Sequence, residues 1–332
     1  MAQIEQAKES LDDMTALAAR SPRSPVQRIA PFSLVIVLVL EYLVFVAIRP
    51  RLFLTTETVG TILSSQAPLL FATLALTLTL IVNEFDLTVG ANLVFTEVLV
   101  AALTVKYHVP VGAAALVALS GGILVGVLTS YLVVGLRIRS FVVTLGMSTL
   151  LSGVSLAVAD STFIPGVPHP LVAVASTSLF GVSLSVYYAF ALAVVLWYVY
   201  EYTPLGRYLY YTGANAEVAR LSGIPTAAMK VGAFVISAAL ISLAGLMEAG
   251  TVGSADPSGA PNFLLPAFAG AFLGATAIKV GRFNVWGTII ASYLLFTGIT
   301  GLALLGLTGW VQDVFNGVAL LAAVVAARLA RR

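Results

Sequence analysis

A run of about 20 apolar residues crosses the ~30 Å hydrocarbon core of a bilayer as a helix, and this 332-residue chain holds ten such stretches nearly end to end. They fall at roughly 31–48, 62–82, 87–105, 111–134, 141–159, 181–200, 229–250, 264–280, 285–306 and 311–328. With the N-terminus placed inside, only Arg49, Arg51 and Lys106 of the 17 Lys and Arg residues fall outside. Cytoplasmic loops carry the excess of positive charge in membrane proteins, so this asymmetry sets the orientation. An even number of spans returns the C-terminus, with Arg328, Arg331 and Arg332, to the inside. The expected fold class is an all-α polytopic membrane protein with about ten transmembrane helices and both termini cytoplasmic.

The charged fraction supports that class. Only 10% of residues are charged and the mean hydropathy is +1.01, against about 25% charged in a soluble domain. The chain has no cysteine, which excludes disulfides, thiol catalysis and Cys-ligated metals. Residues 1–28 are polar and read as a cytoplasmic tail, with a short helix over 4–17 ended by Pro22 and Pro25. Residues 29–332 then form one membrane domain, since no loop is long enough to fold alone. The longest inside loop runs from 201 to 228, and the long outside loop 160–180 holds three prolines. Small residues within the spans, Gly121, Gly122, Gly126, Gly232 and Gly245 among them, suit close helix packing in lipid. Hydroxyls such as Thr73, Thr77 and Thr79 can bond back to the helix or across to a neighbour.

Three segments stand out. Asn83-Glu84-Phe85-Asp86-Leu87-Thr88-Val89-Gly90-Ala91-Asn92 puts two carboxylates between two apolar runs with almost no loop. Charge at membrane depth is costly and usually functional. A plainer reading has Asp86 capping the helix from Leu87 and Glu84 in the headgroup region. The second segment, Thr203 to Pro225, contains a short helix with its own punctuation. Asn215 is a good N-cap, Glu217 suits the positive end of the helix dipole, Arg220 lies toward the other end, Gly223 fits a left-handed terminus, and Pro225 blocks continuation. Val218 and Leu221 share one side, so this helix either docks into a partner or rests on lipid. The third segment is Gly270-Ala271-Phe272-Leu273-Gly274-Ala275-Thr276 followed by Lys279-Val280-Gly281-Arg282-Phe283-Asn284-Val285-Trp286-Gly287-Thr288. It reads as a helix end, a tight glycine turn, and a new helix capped by Asn284.

Together with Ser140-Phe141-Val142-Val143-Thr144-Leu145-Gly146-Met147, these segments resemble, in order from about residue 60 to 325, the permease subunit of bacterial ABC sugar importers. The branch they resemble is the ribose type, related to branched-chain amino acid permeases. Phe85-Asp86-Leu87-Thr88-Val89-Gly90 is similar to that family's D-L-S-V-G stretch with Thr for Ser. Residues 140–147 are similar to P-F-I-V-T-L-G-M with Ser140 for Pro, and Gly206 to Ile224 resembles its G-R-x-x-x-A-x-G-x-N loop. Glu217, Ala219 and Gly223 keep the E-x-A-x-x-x-G spacing of the wider importer motif, with Val218 at the usual first Ala.

The resemblance implies an ABC importer permease fold in the bacterial cytoplasmic (inner) membrane. Its partners would be two ABC ATPase subunits, a periplasmic or lipid-anchored sugar-binding protein on outer loops 160–180 and 251–263, and a second permease chain, identical or related. ATP and Mg would sit on the partner ATPase. This chain holds no cofactor, metal or G-x-x-x-x-G-K-[ST] phosphate loop, performs no bond chemistry, and binds no nucleic acid. Asn215, Glu217, Arg220 and Gly223 would form the helix coupled to the ATPase. Phe85, Asp86, Asn92, Glu97, Phe141 and Thr144 would belong to the pathway for a monosaccharide, with a pentose such as ribose the first expectation.

Two rival readings have less behind them. A transporter driven by an ion gradient would use Glu97 or Asp86, and inverted repeats are not evident. An intramembrane protease lacks a histidine within any span, His108 and His169 both lying in loops.

Overall fold

In the computed structural model, residues 32–307 and 309–329 are described. The tail at 1–28, its short helix, and Arg331 and Arg332 lie outside the described residues. The helices, in chain order, are α1 (Ser33–Ile48), α2 (Pro50–Phe53), α3 (Thr56–Ser65), α4 (Ala67–Ile81), α5 (Val89–Ala101), α6 (Val111–Ser130), α7 (Ser140–Val158), α8 (His169–Ser176), α9 (Leu184–Tyr202), α10 (Pro204–Ala214), α11 (Ala216–Leu221), α12 (Thr226–Val252), α13 (Pro261–Gly274), α14 (Val285–Leu304) and α15 (Trp310–Leu329). Single π-turns, Ala102–Lys106 and Tyr131–Gly135, extend α5 and α6. Among the described residues, six helices are long and apolar enough to cross a membrane, or seven if α3 and α4, bent by 41°, form one span. The chain is an all-α polytopic membrane protein. Two apolar helices, α1 and α13, are shorter.

The expected stretch at 264–280 differs most from the structure. Helix α13 stops at Gly274, and residues 275–284 form a compact turn. Asn284 organises that turn. Its Oδ1 accepts from Gly287 N at 2.8 Å, capping α14 as expected, and its Nδ2 donates to the carbonyls of Gly274, Ala277 and Arg282 at 3.0–3.1 Å. One amide therefore satisfies the end of one helix and the start of the next.

Helix α12 is the mast of the bundle and packs against α4, α5, α6 and α8. At 27 residues it is about 40 Å long. Every residue of α4 is buried, as is nearly all of α5. An all-round apolar helix belongs in the middle of such a bundle. The threonines of α4 are satisfied as anticipated. Thr73, Thr77 and Thr79 donate to carbonyls three or four residues back, and Thr77 also meets Tyr200 of α9 across the interface at 2.9 Å.

Close packing on α12 rests on small residues. A Cβ at Gly122 would lie 1.8 Å from Ser242 Oγ, and one at Gly245 would lie 2.3 Å from the Leu93 carbonyl. Gly232 has no atom within 4 Å of a Cβ, so it does not serve the packing role expected of it.

Two short ladders close one end of the bundle. Strand β1 (Ile164–Pro165) pairs antiparallel with β4 (Ser254–Ala255), and β2 (Ser178–Leu179) pairs with β3 (Val182–Ser183). The loops 160–180 and 251–263, distant in sequence, are thus tied together. Lys106 strengthens the same end by pairing with Asp160 at 2.7 Å.

The break between α4 and α5 and the helix pair at the basic end

Helix α4 ends because Asn83 takes a left-handed conformation (φ 61°), which Asn tolerates better than most residues. Glu84 N then bonds back to the Thr79 carbonyl at 3.0 Å. The chain does not re-enter helix until Val89, two residues later than Leu87. Asp86 lies in the turn before that helix, its Oδ1 accepting from Thr88 N at 3.0 Å and from Thr88 Oγ1 at 2.5 Å, while the residue is only 1% exposed. Asp86 therefore braces the turn into α5 rather than capping it, since the N-cap is Thr88 and no side chain caps that helix. Glu84 has a partner of its own. It pairs with Lys230 of α12, the two side chains being 12% and 26% exposed.

The backbone of the break is pinned to α7. Phe85 N donates to Ser140 Oγ at 3.3 Å, and Thr144 Oγ1 donates to the Phe85 carbonyl at 3.2 Å. The Phe85 ring stacks on Phe268 and Phe272 of α13, with centroids 6.4 and 6.5 Å apart. Phe272 meets Phe283 edge-on at 5.5 Å. An aromatic column thus runs from the break to the 275–284 turn.

Helices α10 and α11 sit against that turn. Tyr210 donates its hydroxyl to the Phe283 carbonyl at 2.6 Å, and the Arg282 guanidinium lies 3.9 Å over the Tyr210 ring. Burial pushes the Tyr210 hydroxyl up to about 12, so it remains a donor at neutral pH. Lys279 pairs with Glu201 at the end of α9. At Gly213 the helix touches the end of α4, where a Cβ would come within 1.8 Å of the Ile81 carbonyl.

Helix α11 has the punctuation read from its sequence. Asn215 Oδ1 accepts from Glu217 N and Val218 N, both at 3.1 Å, and Gly223 is left-handed (φ 83°). Glu217 and Arg220 pair at 2.6 Å in the open. The Arg220 guanidinium, hydrogen-bonded to the carboxylate, holds Glu217 below the usual carboxylate range, so both charges are present at neutral pH. Val218 and Leu221 point outward, 57% and 76% exposed. Replacing Asn215 with Ala leaves two N–H groups uncapped. The expected result is a loss of about 1 kcal/mol, read as faster amide hydrogen exchange confined to 216–221.

The expected site residues separate into groups. Phe85, Asp86 and Thr144 come together at the break, with Ser140, Phe268 and Phe272 beside them. Phe141 is exposed and lines a cavity of about 480 Å³ with Glu84, Arg137, Arg139, Ala216 and Lys230. Asn92 is fully buried, its Nδ2 donating to the Ala238 carbonyl at 3.3 Å and within 3.5 Å of the Gly122 carbonyl and Ser242 Oγ. It cross-braces α5, α6 and α12. Glu97 lies farther along α5, 4% exposed, and accepts from Asp256 N at 3.3 Å. Lys230, Gly213 and Tyr210 carry no local sequence signal that marks them. Only the fold places them here.

The sequence profile described as "Branched-chain amino acid transport system / permease component" matches residues 58–324. The chain is 30% identical over 299 residues to the ribose import permease protein RbsC of Escherichia coli (strain K12), covering 85% of this chain and 90% of that protein. It is 28% identical over 290 residues to the D-allose transport system permease protein AlsC of the same strain, covering 86% and 88%. It is 29% identical over 276 residues to the autoinducer 2 import system permease protein LsrC of Escherichia coli (strain SMS-3-5 / SECEC), covering 83% and 80%. No solved structure matches it significantly. A profile match over residues 58–324, most of the length, makes this chain a member of the branched-chain amino acid transport system permease component family.

Proposed function

We propose that the chain is the membrane-spanning permease subunit of an ATP-driven ABC importer of the ribose type, carrying a monosaccharide such as a pentose inward across the bacterial cytoplasmic membrane. In this reading the chain crosses the membrane ten times, as one domain over 29–332, with the tail at 1–28 and the basic end cytoplasmic. The charge asymmetry along the sequence supports that orientation. ATP and Mg are bound by two partner ATPase subunits. A sugar-binding protein delivers solute to the outer loops, and a second permease chain completes the route.

The observation that carries the reading is α11. It is a capped, charged six-residue helix with two apolar side chains turned outward, joined through α10 to the end of α4 and to the 275–284 turn. Asn215, Glu217, Arg220 and Gly223 make it a coupling helix seated in a groove of the ATPase. Closure of the ATPases on ATP moves α11. Helix α10 passes that motion to the break, where Phe85, Asp86 and Thr144 meet. Asn92, on this reading, holds the helices that move together rather than touching solute.

The test is an affinity pull-down of the tagged chain from its native membrane beside a Glu217→Ala/Arg220→Ala double variant. The pair is exposed, and such pairs contribute little to stability, so the variant is expected to fold normally and to recover several-fold less ATPase. An ATPase that never copurifies with the wild-type chain overturns the reading and favours ion-gradient transport.

A further inference from the structure

The stretch between α12 and α13, residues 253–260, reads from its sequence as part of an outer loop, but the structure carries it down along α5. Asp256 N donates to Glu97 Oε1 at 3.3 Å. A Cβ at Gly259 would lie 3.7 Å from Val94 Cγ2, and one at Gly90 would lie 2.2 Å from the Ala260 carbonyl. These contacts step from Glu97 through Val94 to Gly90, about 10 Å along the helix. Their depth is set by Asn92, two residues from Gly90, which bonds to Ala238 near the middle of α12. Helix α13 therefore begins well inside the bundle. Its 14 residues reach only about 21 Å.

The descending segment has two faces. Ala255, Pro257 and Gly259 are buried against the bundle, whereas Asp256, Ser258 and, at the start of α13, Asn262 are exposed. Non-helical backbone at membrane depth is tolerated only where it is buried in protein or lines a water-filled cavity. A carboxylate exposed to lipid at that depth is costly. The exposed face of this segment therefore meets either water or the second permease chain, and its three polar side chains suit the water-filled route.

We propose that Asp256, Ser258 and Asn262 line the outer part of the solute route and contact a neutral, hydroxyl-rich solute. This rests on the transport reading above and names residues for it. No Lys or Arg occurs between Lys230 and Lys279, so an anionic group would find no cation on this segment and would meet the Asp256 carboxylate. Solute hydroxyls can donate to that carboxylate, and Ser258 and Asn262 can both donate and accept.

The absence of cysteine from the chain makes a direct test possible in the assembled complex. Single variants Ser258→Cys and Asn262→Cys are treated with membrane-impermeant thiosulfonates, one cationic and one anionic. Controls are Leu124→Cys on α6 and Val195→Cys on α9, at exposed apolar positions. Both test positions are expected to react about tenfold or more faster than the controls, since lipid-facing thiols are shielded from a charged reagent. The cationic reagent is expected to be favoured about threefold or more, with that preference lost on Asp256→Asn. Reaction no faster than the controls, in a complex that retains its ATPase, overturns the lining and leaves the transport reading intact. Fast, cation-selective reaction in a chain that recruits no ATPase supports the lining and overturns only the energy source. Fast reaction without charge preference overturns the assignment of Asp256.

Discussion

Lys230→Met is expected to be the most damaging single substitution at the break. It removes the cation from Glu84, whose side chain is only 12% exposed. Breaking a buried pair by deleting one partner costs more than the pair contributes, because the remaining charge keeps its desolvation penalty. Both side chains are half-buried and line the cavity of about 480 Å³, so the expected loss is about 1–2 kcal/mol, between that of an exposed pair and that of a buried one. Thermal unfolding in a mild detergent reads this directly. The companion variant Glu84→Gln/Lys230→Met removes both charges and is expected to recover most of the lost stability. A double variant no better than Lys230→Met would show that the lysine stem, and not the ion pair, holds α12 to the break.

Gly213→Val is expected to separate folding from function. Its Cβ would come within 1.8 Å of the Ile81 carbonyl, so α10 must lift off the end of α4. Overpacking of this kind costs about 1–3 kcal/mol. The greater effect falls on transport, because the lifted helix also strains the Tyr210 bond to Phe283. The complex should assemble with its ATPase and hydrolyse ATP, yet move far less solute per ATP than wild type. Tyr210→Phe keeps the ring and loses the bond, and it should shift the same ratio in the same direction by a smaller amount. Unchanged transport per ATP in both variants would remove α10 from the path between α11 and the break.

These contacts divide the site into parts legible in the sequence and parts that only the fold supplies. Helix α11 was legible because caps and terminators act within a few residues. Asn215 binds N–H groups two and three positions on, and Gly223 is chosen by its own φ. The break was legible as two carboxylates without a loop. Which way a residue faces was not. The spans are apolar on all sides, so no stripe distinguishes a residue turned toward solute from one turned toward a neighbour. Asn92 illustrates this, since its partners Gly122 and Ala238 are 30 and 146 positions away. The descending segment is hidden in the sequence for a related reason. Its Gly, Pro, Ser and Asp residues suit a surface turn equally well, and the contacts that draw it inward come from α5, at least 159 positions away.

The strand pair between Ile164–Pro165 and Ser254–Ala255 gives that segment a handle. Ser254 and Ala255 are the last residues before the chain turns down toward the centre of the bundle. A body that grips the 160–180 loop is therefore fastened, through two residues of ladder, to one end of a tether whose other end opens α13. A pull on that loop reaches the interior without bending a helix, because the tether between Asp256 and Ala260 has no helical ladder of its own to break.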